Sequence, residues 1–164
     1  MGFVCSVCGE QHDERLLDIR LALPDAIHRL GPEARETRTW LADDFAVLDN
    51  EHFFVRGLLE LPIPELGSRF GYGTWVEVPM RAFSTLLKLW HDPRQFEPVT
   101  GYLANELEPY RGTVGLEARL RAISADRLPA VGLADAPHEL VQDHLRGIST
   151  GRSDELAAVV LHAA

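Results

Sequence analysis

The chain has 164 residues, 46% of them apolar, and a formal charge of -9 at pH 7, enough apolar material for the core of one compact domain. That charge repels a phosphate backbone, and no Lys/Arg cluster with interleaved aromatics offsets it, so nucleic acid is not an expected partner. No apolar run approaches the roughly 18 residues of a membrane span, and the N-terminus lacks a basic start followed by a long apolar stretch, so the expected compartment is the cytoplasm and no membrane partner is expected.

In chain order, Phe3-Val4-Cys5-Ser6-Val7-Cys8-Gly9 reads as a short extended arm turning back through a glycine. The only two cysteines are Cys5 and Cys8, too close to staple a fold, and their spacing points to metal or redox chemistry in a reducing compartment. Leu21 to Leu30, with Pro24 followed by Ala26, Ile27 and Leu30, suggests a short helix or turn, and Gly31-Pro32 opens a helix expected over Glu33 to Leu41. Phe45–Leu48 and His52–Ile63 read as two strands of a hairpin, with Asp49-Asn50-Glu51 as its turn. In the second strand Phe53, Val55, Leu59 and Leu61 share one face.

Pro62, Pro64 and Gly67 end that strand, and Phe70–Val78 forms the next, with Gly71 and Gly73 on the face of Trp75. Such a bare face beside an indole either floors a ligand pocket or receives ordinary core packing. Pro79 opens a helix in which Phe83, Leu86, Leu87 and Trp90 recur at helical spacing, stopped by His91-Asp92-Pro93. Arg94–Gly112, with two prolines and two glycines, reads as irregular with at most one helical turn. Val114 to Ala122 alternates with period two, Leu128–Ala134 makes a further strand, and helices are expected from Pro137 to Arg146 and from Ser153 onward. Hairpin-linked strands with helices outside them predict an α+β fold: an antiparallel sheet with helices packed on it, one domain over residues 1–164, comprising a metal-knuckle arm at 1–14 and a body at 15–164.

Cys5-x-x-Cys8 with His12 puts two thiolates and an imidazole into one N-terminal Cys/His knuckle, and Zn2+ favours such ligands in a tetrahedron. A structural site needs a fourth. His138, opening the penultimate helix with Gln142 one turn on, ranks first among His28, His52, His91, His138, His144 and His162; the bland reading is that it caps its helix or sits at the surface. The bland readings of the rest are reduced thiols for Cys5 and Cys8 and a solvated loop for His12, and a metal-free redox pair needs a preceding strand for which Cys5 has too little chain. Asp43 and Asp44 are adjacent, so at most one faces inward, and no triad, GxGxxG, phosphate loop or HExxH is present.

Cys5-x-x-Cys8-Gly9-x-x-His12, the run Phe53-Phe54-Val55-Arg56-Gly57-Leu58-Leu59-Glu60, Gly71-Tyr72-Gly73-Thr74-Trp75-Val76, and Pro137-His138-Glu139-Leu140 with Gln142, Gly147 and Ile148 together resemble domain of unknown function family 2199, a family of bacterial proteins. The resemblance spans most of the chain and implies that the knuckle and the penultimate helix form one site; no catalytic residue comes with it. This sequence has Pro137-His138-Glu139 where the family usually has His-Pro. The expectation is a binding module with a possible protein partner, its arm pinned by structural zinc through Cys5, Cys8, His12 and His138. The alternative is a zinc hydrolase with three protein ligands, an open metal position and Glu10 or Glu139 as base, so catalysis is left open.

Overall fold

The structure is a computed structural model that describes residues 3–4, 11–12, 17–92 and 96–161, with backbone alone at 3–4, 11–12 and 160–161. Its elements are β1 (Phe3–Val4), β2 (Gln11–His12), β3 (Asp18–Arg20), α1 (Asp25–His28), α2 (Pro32–Arg38), β4 (Thr39–Leu41), β5 (Phe45–Leu48), β6 (His52–Ile63), β7 (Ser68–Val78), α3 (Met80–Leu89), β8 (Val99–Leu103), β9 (Glu117–Arg121), β10 (Ala130–Leu133), α4 (Glu139–Arg146) and α5 (Thr150–Leu161). The α+β class and most elements agree with the sequence. The sheet does not, because it closes on itself.

β6 and β7 form a long antiparallel hairpin, paired from Phe53↔Val78 to Ile63↔Ser68. Its turn is a single 3-10 turn at Pro64–Leu66, closed by Gly67 at φ +56. Antiparallel pairings then run β7–β8, β8–β9 and β9–β10, and β10 returns to β6 in parallel at Ala130↔Leu58. The result is a five-stranded mixed barrel in place of the expected open antiparallel sheet. Three strands extend it outside: β3 lies parallel to β7, and β5 then β4 add antiparallel to β6.

The barrel interior is built from alternate positions, as a period-two strand requires. Val55, Leu59, Leu61 and Ile63 of β6, Phe70, Tyr72 and Val76 of β7, and Leu103, Ala118, Leu120 and Val131 from the other strands are all 2% exposed or less and join one core cluster. Leu140, Val141, Ile148 and Leu156 from α4, α5 and the loop between them complete that cluster. Phe83 and Leu86 of α3 do so too, as their helical spacing predicts, and Trp90 packs partly buried against it, whereas Leu87 of the same predicted stripe stays 43% exposed. Two glycines permit this closeness. A Cβ on Gly57 would sit 2.6 Å from Val131 Cγ2 and 2.8 Å from Leu120 Cδ2, and one on Gly101 would collide with the Glu77 carbonyl oxygen and lie 2.8 Å from Val76 Cγ1.

The β5–β6 hairpin and its Asp49-Asn50 turn are as expected, with φ of +53 and +54 at the two central residues, the combination that suits the twist of a tight hairpin. Three expectations change. The helix from Glu33 stops at Arg38 because Thr39–Leu41 pairs with Ala46–Leu48, and a β-branched and an aromatic residue serve that edge well. The stretch expected to be irregular contains β8; Gly101, which reads as a turn residue, is there because the strand approaches β7 closely. The last helix begins at Thr150, three residues early, since Ser149 Oγ accepts the Arg152 N–H at 3.0 Å and supplies the start signal.

Gly101→Ala is expected to destabilise the protein by about 1–3 kcal/mol in urea unfolding, because backbone must move to admit the methyl group. Gly132→Ala, whose new Cβ would meet nothing nearer than the Arg119 carbonyl oxygen at 3.9 Å, should fall near wild type.

Candidate functional site

β1 pairs antiparallel with β2, Phe3 opposite His12 and Val4 opposite Gln11. Cys5 and Cys8 belong to the connection between these strands and lie outside the described residues, as do Glu10 and the side chain of His12, so the expected zinc knuckle falls there. Among the described residues no three His, Cys, Asp or Glu side chains gather as a metal site.

His138 is the N-cap of α4. Its Nδ1 accepts the Leu140 N–H at 3.0 Å and its Nε2 donates to the Arg111 carbonyl at 2.7 Å, which together select the Nε2–H tautomer. The bland capping reading therefore holds. The same tautomer is the one a metal-bound histidine takes when its outer N–H rests on a backbone carbonyl, with Nδ1 as the ligating atom; zinc there would displace the cap. Glu139, next in the chain, pairs with Arg152 at 3.1 Å. That arginine also lies 5.0 Å above the Tyr110 ring, and Tyr110 donates to Asp143 at 2.5 Å. Burial first, then that hydrogen bond, pushes the Tyr110 hydroxyl well above the usual tyrosine range, so it keeps its proton and ties the chain before β9 to α4.

Of the other histidines, His28 ends α1 and His91 follows α3, both exposed. His144 donates from Nδ1 to the Glu60 carbonyl at 2.8 Å. His52 meets Glu77 Oε2 at 3.0 Å, and that hydrogen bond raises its proton affinity above the ordinary histidine value.

The bare face of β7 receives β3. Asp18 lies against Gly71, where an added Cβ would be 2.8 Å from its carboxylate oxygen, and Arg20 lies against Gly73. Trp75, 1% exposed, donates from Nε1 to the Leu21 carbonyl at 3.0 Å. The room left by these glycines is thus filled chiefly by the chain's own third strand. A cavity of about 450 Å3 remains beside it, lined by Asp18, Arg20, Asp44, Gly73, Trp90 and the loop before β10.

Two buried polar groups that the sequence did not single out hold this outer layer to the barrel. Arg56, 4% exposed, stacks over Trp75 at 4.9 Å and donates to Asp44 at 3.1 Å, to the Leu21 carbonyl at 3.2 Å and to the Asp43 carbonyl. As adjacency implied, only one of the two aspartates turns its carboxylate to this arginine. Asn105, 1% exposed, uses its full capacity: Oδ1 accepts from Thr74 Oγ1 and the Trp75 N–H, and Nδ2 donates to the Leu23 carbonyl and Asp25 Oδ1. Neither was detectable beforehand, since an Arg in a strand and an Asn in a loop are ordinary surface residues.

Among the described residues the fold holds a capped helix bearing His138 and a cavity beside the third strand. The chain belongs to the DUF2199 family, described as an uncharacterized protein conserved in bacteria, whose model matches residues 4–148. The match takes in both cysteines, the whole barrel and α4, and α5 follows it. No curated protein and no solved structure matches the chain. No helix among the described residues is long and apolar enough to cross a membrane.

Asn105→Ala should cost ~3 kcal/mol in chemical denaturation, because it strands a hydroxyl, an N–H, a carbonyl and part of a carboxylate in a buried place. For His52, the folded value is raised, so the pair's contribution to stability is present below the ordinary histidine range and is lost as pH climbs through the raised value. An NMR titration should show the His52 midpoint falling in Glu77→Gln.

Proposed function

We propose that this protein is a binding module whose N-terminal arm is organised by structural zinc through Cys5, Cys8 and His12, with His138 entering the fourth position through Nδ1. What carries the reading is the antiparallel pairing of Phe3–Val4 with Gln11–His12, which makes the Cys5-x-x-Cys8 segment the connection of a hairpin and places His12 on its returning strand. Thiolate and imidazole ligands at this spacing favour Zn2+. Four protein ligands leave no position for a substrate water, so the metal contributes folding energy to the arm and not chemistry. The module's partner is proposed to be another protein.

The Arg111 carbonyl supports His138 as ligand, because it holds the proton on Nε2 and makes Nδ1 the ring's acceptor; a metal would take that lone pair in place of the Leu140 N–H that it now caps. The three-ligand hydrolase remains the competing reading, and ligand count separates the two.

Protein purified without added zinc should contain close to one zinc per chain by elemental analysis. Cys5→Ser and Cys8→Ser should lose it, and the thiols of the wild type should react slowly until a chelator is added. His138→Asn, which keeps the helix cap, should reduce zinc retention against chelator; full retention there with loss in His12→Ala would mean an open or differently closed site. Metal-free protein with freely reactive thiols would overturn the proposal.

A further inference from the structure

Below Leu58 the barrel wall opens. β10 touches β6 at Ala130↔Leu58 and then continues alongside β9, while β6 runs on through Glu60 and Pro62 with β7 as its neighbour. The gap is a groove of about 320 Å3. Its floor is small: Gly132 has open space where a side chain would stand, with only the Arg119 carbonyl oxygen within reach at 3.9 Å.

The rim is cationic. Arg119 and Arg121 stand on the outward face of β9, opposite Gly132 and Ala130, and Arg69 enters from β7 opposite Pro62. Among the described residues the side chains of Arg119 and Arg121, both exposed, have no hydrogen bond or ion pair. Arg69, 64% exposed, has one long contact with Glu60 at 3.4 Å, the single carboxylate in the groove. Glu117 precedes Arg119 by two on the same face without pairing with it. In a chain of net charge -9, three guanidinium groups converging on one groove with one carboxylate between them are a local reversal of sign.

His144 completes the lining. Its Nδ1–H is committed to the Glu60 carbonyl, which fixes the ring, and Nε2 has no partner among the described residues. Guanidinium forks match the oxygens of phosphate and carboxylate in pairs, and a volume of this size admits a small molecule and no folded partner. We propose that this groove is a binding site for a small molecule carrying a doubly charged oxyanion, of which a phosphate monoester is the type, with Arg69, Arg119 and Arg121 holding the anion and the Gly132 floor admitting its body. The assignment uses none of the proposed zinc ligands and does not depend on them.

Phenyl phosphate is the probe, titrated into the full chain and followed by calorimetry and by amide shifts in NMR. Saturable binding should weaken as salt is added, perturb amides of residues 117–121 and 130–133, and drop about tenfold in Arg119→Ala and again in Arg121→Ala, as for loss of one charge-assisted hydrogen bond each. Arg119→Lys should fall between, since it keeps charge but loses the fork. Arg127→Ala, in the loop lining the other cavity, should bind as wild type. Inorganic phosphate alone should bind more weakly, and phenol not at all. Unchanged affinity in both alanine variants, equal affinity for phenol, or absence of binding by folded wild type would each overturn the assignment.

Discussion

The β6–β7 hairpin is the constraint from which the rest of the molecule follows. Its two strands are longer than any one neighbour can cover, so each outer edge is shared. β6 offers its first residues to β5 and its Leu58 to β10; β7 offers Gly71 to Gly73 to β3 and Val76 and Glu77 to β8. Dividing each edge this way lets one continuous sheet form a closed barrel and a three-strand extension together. The link of β10 to β6 at Ala130 and Leu58 pairs backbone that would otherwise stand at an edge there, while β3 and β4 remain the outer strands of the sheet.

The same division explains where polar residues are buried. Where the extension leaves the barrel, loop backbone is carried beneath the surface, and its carbonyls need donors. Arg56 supplies them for Leu21 and Asp43, and Asn105 supplies one for Leu23 while accepting from the Trp75 N–H. Burial, and then nearby Arg20, pull the Arg56 guanidinium below the usual arginine range, with Asp44 acting in the opposite sense; an arginine nonetheless stays charged, which suits it to such a place. These side chains are the joints between layers, and the glycines at 71 and 73 are the seats into which β3 fits.

Three histidines show how one residue type takes different roles through the partner of its nitrogens. At position 138 both nitrogens meet backbone, at 144 one does, and at 52 the ring meets a carboxylate that favours its charged form. The proton's location is set by backbone carbonyls at Arg111 and Glu60 that are distant in sequence.

What the sequence determined by itself was local. Alternation in His52–Ile63, helical spacing from Phe83 to Leu86, Asp49-Asn50 at a turn, and Pro and Gly at helix ends depend on neighbours a few residues apart, and the structure bears them out. The Cys5, Cys8 and His12 spacing is legible in the same way, as a motif. Tertiary structure alone decided that the sheet closes, since the parallel link of Ala130 to Leu58 joins residues 72 positions apart and leaves no mark in either segment. It also decided that Gly101 belongs to a strand, that Asn105 and Arg56 are buried, and that Arg69 meets Arg119 and Arg121 across a gap. Each of these depends on what lies across the sheet, and pairing across a sheet is a property of register and closure, not of composition.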